Sequence, residues 1–401
     1  MIISRADDRW SGLTGLRGIA ASSVVLYHCW GVTGAPMAIG IGGAHFELRR
    51  LFSAGWIGVD LFFVLSGFLL GYHALTRPGY VTTRSGFLKY FRRRFLRVCP
   101  AFYVQMLFVI FLGIVGVYTI PPVTQVVASL VMAQNFFVLT HLPIFPVWWS
   151  LPVEFDFYVL LPLLALPLLK QQSITRYVAT AVLASFCFEY LILEIVSPYY
   201  KGLIHEIPAR LQEFCGGVAT AALWARYPNL VQRFRGLLFP LGLCLIGLLL
   251  VLGTNRFDSI AATSGRWDTY AFRPLLALAC CLFILAVCAR NSVARMVCEN
   301  RFVLFLGTIS YSLYLWHALP LWLMRDHNWF NGWGRGEFYL QVQIFSYGIA
   351  VAILVATSSY LAFERPFLET QSSRYDSRQK IMFTICIGVA SVVLAAMFTK
   401  G

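Results

Sequence analysis

Charge is scarce in this chain, and negative charge is scarcest. Asp and Glu number 18 among 401 residues, Lys and Arg number 32, and charged side chains together make up 12%. That is roughly half the charged share of an ordinary soluble domain. Hydrophobic residues make up 59% and are gathered into long blocks, which argues against a soluble fold, and no remaining stretch is long enough for a separate soluble domain. Cys-x-x-Cys pairs and His/Cys ligand spacings are missing as well, so neither a zinc site nor a disulfide framework is expected. The ten cysteines fall in or beside apolar spans, where a free thiol packs like a small hydrophobe. Internal repeats are lacking, which counts against a transporter built from two related halves. No cleavable leader is expected either: MIISRADDRW carries two aspartates and runs on without a small-residue cleavage site, so the segment from Thr14 reads as a retained first helix.

What is present is a succession of apolar segments close to the ~20 residues a helix needs to cross hydrocarbon. They lie near 14–32, 56–76, 97–119, 150–169, 175–196, 203–225, 237–253, 271–289, 303–324, 341–362 and 380–398. The expected fold is all-α, a polytopic membrane helix bundle of about 10–11 transmembrane helices. Residues 1–369 read as a ten-helix membrane domain and 370–401 as a cytoplasmic linker with an additional C-terminal helix. The stretch 123–140, which follows Pro121 and Pro122 and holds Gln134 and Asn135, is open to a spanning or a re-entrant reading. With it re-entrant or interfacial, inside loops hold 21 Lys and Arg against 10 outside, Arg17 being counted in neither. That asymmetry predicts a cytoplasmic N-terminus and an external C-terminus. Trp148, Trp149, Trp329 and Trp333 then fall at the outer interface, where indoles are favoured. The net charge of +14 is thus accounted for by topology, in short patches facing membrane lipids; no continuous basic face points to nucleic acid.

An ionisable side chain near the bilayer centre costs about 2.5–3.5 kcal/mol on insertion scales, so one that persists there faces a cavity or a partner. In the first span Arg17 and His28 are eleven positions apart, which gives about 16 Å of rise and about 20° of offset, one above the other on one face. The second span carries Asp60 near its outer end, then Ser66, Gly67 and His73. Asp60 reads either as a solvated helix-end carboxylate or as a partner that orients an imidazole, while Ser66 and Gly67 read as close-packing residues. The fourth span opens WWSLPVEFDFYVLLP with Glu154 and Asp156, and His317 lies in the ninth. Counting along ideal helices puts Glu154, His317, His28 and Asp60 at comparable depth, lining a water-accessible acceptor pocket. Glu206, Arg210 and Glu213 recur on one helical face, a spacing that reads as an ion-pair ladder. On the cytoplasmic side KYFRRRFLR gathers Arg92, Arg93, Arg94 and Arg97, a cluster that anchors to anionic lipid or forks phosphates. A ligand with phosphates at the surface and a long thin arm reaching up beside His28 unites these features, and acyl-coenzyme A has that shape.

At these residues the chain resembles the acyltransferase-three family of bacterial membrane acyltransferases, which decorate glycans, lipopolysaccharide O-antigens, peptidoglycan, exopolysaccharides, Nod factors and some macrolides. The resemblance runs in order through residues 12–369: GLTGLRGIAASSVVLYH with Arg17 and His28, GVDLFFVLSGFLL at 58–70, RRRFLRVCPAFY with Arg94 and Arg97, WSLPVEFDFY with Glu154, ISYSLYLWH ending at His317, and ERPF at 364–367. It implies transfer of an acyl group, commonly acetyl, from cytoplasmic acyl-CoA to a hydroxyl, with His28 and Arg17 essential and Arg94 and Arg97 important. It also implies a bacterial cytoplasmic (inner) membrane location. Glu154-Phe155-Asp156 departs from the Glu-Glu or Glu-x-Gln common in the family. Some members continue into an extracytoplasmic esterase-like domain; with the chain ending at Gly401, transfer is expected to be completed by the membrane domain or by a separate partner.

The expected roles follow. His28 is the general base or a transient acyl carrier, with Asp60 or Glu154 orienting its ring. Arg17 steadies the coenzyme or the developing oxyanion, and Arg93, Arg94 and Arg97 hold the nucleotide phosphates. Glu154, His317, Trp149 and Arg210 face the acceptor, a glycan or another hydroxyl compound, and no metal is expected. A small-molecule acceptor such as a macrolide, or a transporter or flippase using the same residues as a proton relay, are the competing readings.

Overall fold

The computed structural model of the chain describes residues 10–33, 38–41, 44–47, 49–137, 144–196, 206–252, 267–290, 292–326 and 337–368. Helix α1 (Ser11–Thr33) is followed by a two-stranded antiparallel hairpin, β1 (Ala38–Ile41) with β2 (Ala44–Glu47), and the short α2 (Arg49–Ser53). Then come α3 (Ile57–Thr76), α4 (Arg84–Ile114), α5 (Val123–Leu130), α6 (Gln134–Phe137), α7 (Ser150–Leu169), α8 (Ile174–Tyr190) and α9 (Ile207–Arg226). The short α10 (Pro228–Arg233) leads to α11 (Arg235–Leu252), α12 (Trp267–Cys288) and α13 (Val293–Cys298). A thrice-divided segment, α14 (Arg301–Thr308), α15 (Ser310–Trp316) and α16 (Ala318–Asp326), precedes α17 (Glu337–Ser359). Each of the first ten predicted spans is therefore occupied by helix, and the small hairpin is the one departure from all-α among the described residues. The predicted span 380–398 and the linker before it lie outside them, as do Trp329 and Trp333.

Among the described residues five helices are long and apolar enough to cross a membrane, and a sixth if the segment bent by 62° between α14 and α15 is one span. The chain is thus a multi-pass helical bundle. Helix α1 has the length, 23 residues, but Ser22, Ser23, Arg17 and His28 dilute its apolar character. Large aliphatic side chains such as Leu163, Leu183 and Leu354 are more than 60% exposed, as expected of a face turned to lipid rather than to water. The polarity is inverted inside, where Asp60, Glu189, Arg210 and Glu213 are buried.

The described part of the 123–140 stretch, up to Phe137, holds no helix long enough to cross a membrane. Its helix α5 has eight residues, about 12 Å of a ~30 Å core, and the chain turns at Met132, whose φ is 56°. From α6, Gln134 and Asn135 donate to the carbonyls of Trp148 and Trp149 (3.3 and 2.8 Å). Those tryptophans lie in a 3₁₀ turn, Pro146–Trp149. Trp148 is fully buried and donates its indole N–H to Gln105 (2.7 Å), so α7 begins inside the protein.

Small residues let helix backbones meet in lipid, where no hydrophobic force drives helices together. A Cβ at Gly67 would stand 2.2 Å from the Phe214 carbonyl oxygen, and one at Gly217 2.2 Å from that of Val64, at the α3–α9 crossing. Backbone cannot yield as a side chain does, so Gly217→Leu is expected to cost at least the ~1–3 kcal/mol of ordinary overpacking. The thermal midpoint of the detergent-purified protein should fall, while Gly236→Leu, at a position with nothing within 4 Å, should leave it unchanged.

Candidate active site

Two polar clusters lie along α1, about 16 Å apart. The first is an imidazole pair. His317 Nε2 is 3.0 Å from His28 Nδ1, and the rings meet at a centroid distance of 4.8 Å. His317 sits within a helical segment that runs on from Ser310 to Arg325, and the bend that re-aims this segment lies one residue before its start, between α14 and α15. Two carbonyls in the turn before His317 carry side-chain contacts: Tyr314 O lies 2.7 Å from His317 Nδ1 and Leu315 O accepts from Gln105 Nε2 at 2.6 Å. Tyr314 in turn reaches α7 through its hydroxyl, 2.6 Å from Ser150 Oγ and 2.9 Å from Val147 O. Trp322, on α16, edges the His28 ring at 6.4 Å.

The second cluster is cationic. Arg17, on α1, is in electrostatic contact with Arg94 and Arg97 of α4 and with Glu154 and Tyr158 of α7. None of these three arginines makes a salt bridge among the described residues, and Arg94 Nε is buried without a hydrogen-bond partner. Glu154 is already engaged: its Oε1 accepts from Ser66 Oγ (2.7 Å) and Tyr158 Oη (2.6 Å). The other carboxylate in range, Glu364, is buried and accepts from Ser312. A π-helical turn, Tyr360–Glu364, continues from α17 to this residue, a device often found at functional sites. Three guanidiniums thus converge with two carboxylates, Glu154 and Glu364, which leaves the place net positive. With 31 residues, α4 is about 46 Å long, well beyond a ~30 Å core, so its basic beginning projects past the hydrocarbon. Arg92 and Arg93 are exposed there, and Arg93 stands outside the convergent trio.

Between the clusters lies a buried ion network. Asp60 accepts from Arg210 Nη1 at 2.7 Å, Glu213 from the same nitrogen at 3.2 Å, and Glu189 pairs with Arg273. Trp149 covers the Arg210 guanidinium, 5.3 Å from its ring centroid, a cation–π contact. Asp156 and Glu206 interact electrostatically, each with one buried carboxylate oxygen that has no hydrogen-bond partner. No group of three His, Cys, Asp or Glu among the described residues could hold a metal ion.

Two expectations are corrected. The four residues placed at one depth form a staircase along the bundle, as their separate partners on α3, on α9 and at the end of α15 show. His28 and His317 are on the top step, Asp60 with Arg210 on the next, and Glu154 is at the level of Ser66, about 9 Å further along α3 from Asp60. Neither Asp60 nor Glu154 orients His28, whose hydrogen-bond partners are Val24 O (3.0 Å) and His317. Spacing could have flagged some of the residues missed. Tyr158 is one turn from Glu154, and Gln105 is a lone amide in an apolar run.

The acyltransferase-3 family, described as an acyltransferase domain, matches residues 10–363. The chain is 26% identical over 373 residues to O-acetyltransferase OatA of Staphylococcus aureus (strain NCTC 8325 / PS 47), covering 88% of this chain and 56% of that protein. It is 25% identical over 393 residues to a putative O-acetyltransferase of Staphylococcus aureus (strain COL), covering 89% and 57%. The chain therefore spans a little over half the length of these relatives. No solved structure matches it. With nearly the whole described bundle inside the matched region, from the start of α1 to the π-helical turn after α17, the chain belongs to the acyltransferase-3 family of membrane proteins.

Proposed function

We propose that the chain is a membrane O-acyltransferase that moves an acyl group, acetyl in the simplest case, from acyl-CoA to a hydroxyl of a cell-envelope or exported glycan. The observation that carries this is the pairing of a net-cationic arginine cluster beside Arg17 with an imidazole pair farther along α1. The trio suits the phosphates of a coenzyme, since a guanidinium forks two phosphate oxygens at once. The thin thioester arm then runs along α1 to His28. The acceptor oxygen attacks the thioester carbonyl carbon, His28 takes the hydroxyl proton, the C–S bond breaks, and the proton passes from His28 to the departing thiolate to give free CoA thiol. Arg17 keeps company with Arg94 and Arg97, far from the reacting carbon, so its role is to hold the coenzyme and not the oxyanion. Glu154, held by Ser66 and Tyr158, fixes Arg17 from the other side. The names of the two relatives favour acetyl, and the positive-inside count favours a bacterial cytoplasmic membrane with the arginine trio facing the cytoplasm.

The test is an assay in vesicles with labelled acetyl-CoA and isolated envelope glycan. Label should enter a base-labile ester as free thiol appears, and Arg94→Ala should raise KM for acetyl-CoA by about 10-fold or more, one charge-assisted phosphate contact being worth about 1.5–3 kcal/mol. Label carried by a secreted small molecule would redirect the acceptor to a macrolide-like compound. Substrate counterflow without any thioester would replace the enzyme by a transporter or flippase.

A further inference from the structure

We infer that His317 is the positioning partner of His28, fixing which nitrogen is the base and sharing the proton the base receives; this rests on the reading of His28 as general base. His317 is fully buried, and its Nδ1 faces two carbonyl oxygens, Tyr314 O at 2.7 Å and Leu313 O at 3.0 Å. Two acceptors and no donor require a proton on that nitrogen. In the neutral ring Nε2 is then an acceptor. It lies 3.0 Å from His28 Nδ1, a contact that needs one proton between the two nitrogens, and His28 must supply it. Val24 O, 3.0 Å from the same Nδ1, demands the same assignment independently. His28 is thereby held with Nδ1 protonated and Nε2 carrying its lone pair, and Nε2 is the atom that accepts the acceptor's proton.

An imidazolium formed at His28 needs an acceptor for its Nδ1 proton. In many acid–base pairs a carboxylate serves; in this bundle Asp60 is committed to Arg210, and Glu154 lies away in the Arg17 cluster, held by Ser66 and Tyr158. A neutral His317 does the work without placing an uncompensated negative charge beside the coenzyme's thioester. As Nε2 of His28 gains the hydroxyl proton, the Nδ1 proton shifts toward His317 Nε2, and the charge spreads to a ring whose own N–H points at the carbonyls of Leu313 and Tyr314. These carbonyl oxygens, 3.0 and 2.7 Å from the ring nitrogen, are acceptors that favour a protonated ring. When the thiolate takes the proton back from His28 Nε2, the Nδ1 proton returns and both rings are neutral again. No further reactant is consumed.

The experiment compares His317→Leu with His317→Gln in acetyl-CoA-driven transfer by the purified full chain in vesicles, with CoA affinity as the check of folding. Gln presents an acceptor oxygen near the place of the lost Nε2; Leu fills the space without one. His317→Leu should lower kcat by about 10²-fold with KM for acetyl-CoA within about twofold, and His317→Gln should recover at least tenfold of that loss. Equal losses in the two variants, or a full rate in the Leu variant, overturn the assignment. His28→Ala separates the two claims: an active His28→Ala enzyme defeats the reading of His28 itself, whereas an inactive one beside a fully active His317→Leu enzyme defeats the pair alone.

Discussion

His28→Ala should slow acyl transfer by about 10²- to 10⁴-fold, the contribution of a positioned general base, while leaving the affinity for CoA within about twofold. The second half of that statement is the more demanding. His28 and the arginine trio share a helix but are about 16 Å apart along it, and the trio's neighbours, Glu154, Tyr158 and Glu364, belong to other helices. Removing an imidazole at one end has no path by which to loosen phosphates at the other unless the bundle unfolds. Isothermal titration with CoA, run beside the transfer assay, reads both quantities on one preparation. A turnover indistinguishable from wild type would take His28 out of the reaction. A variant with lost turnover and equally lost CoA binding would mean that the two clusters are not separate sites.

The alignment of Arg17 with His28 was legible because helix geometry is local: eleven positions fix a rise and an angle whatever surrounds them. The spans were legible for the same reason, since every backbone polar group in lipid must be satisfied within its own helix. What could not be read is where separate helices touch. Asp60 and Arg210 are 150 positions apart and meet at 2.7 Å, and nothing in the spacing of either announces the other. Counting from the start of the fourth span puts Glu154 level with His28, whereas its hydrogen bond with Ser66 sets it beside the middle of α3. The bend in the ninth span lies between Thr308 and Ser310, where the sequence has no proline to announce it, and a span drawn as one helix from 303 to 324 passes over it.

Arg210→Met should destabilise the folded bundle by about 3–5 kcal/mol, the cost of leaving buried charges without their partner. Arg210 is the hub of its network, with Asp60 at 2.7 Å and Glu213 at 3.2 Å on one nitrogen and both acids buried. Taking away the cation strands two carboxylates side by side, with Glu189 and Arg273 electrostatically coupled to the same group. Asp60→Asn should cost less, because Glu213 still neutralises Arg210 and the amide still offers an oxygen. The triple variant Arg210→Met, Asp60→Asn, Glu213→Gln should recover most of the loss, since a buried ion cluster replaced as a whole by neutral groups is often close to neutral in stability. Thermal unfolding in detergent gives the order of the three. Activity then decides what Asp60 is for. If the network only braces α3 against α9, the triple variant that folds also turns over, because the imidazole pair draws its proton logic from Val24, Leu313 and Tyr314 and from no acid. A folded triple variant without activity would bring Asp60 or Arg210 back into the reaction, as a group that meets the acceptor beneath His28.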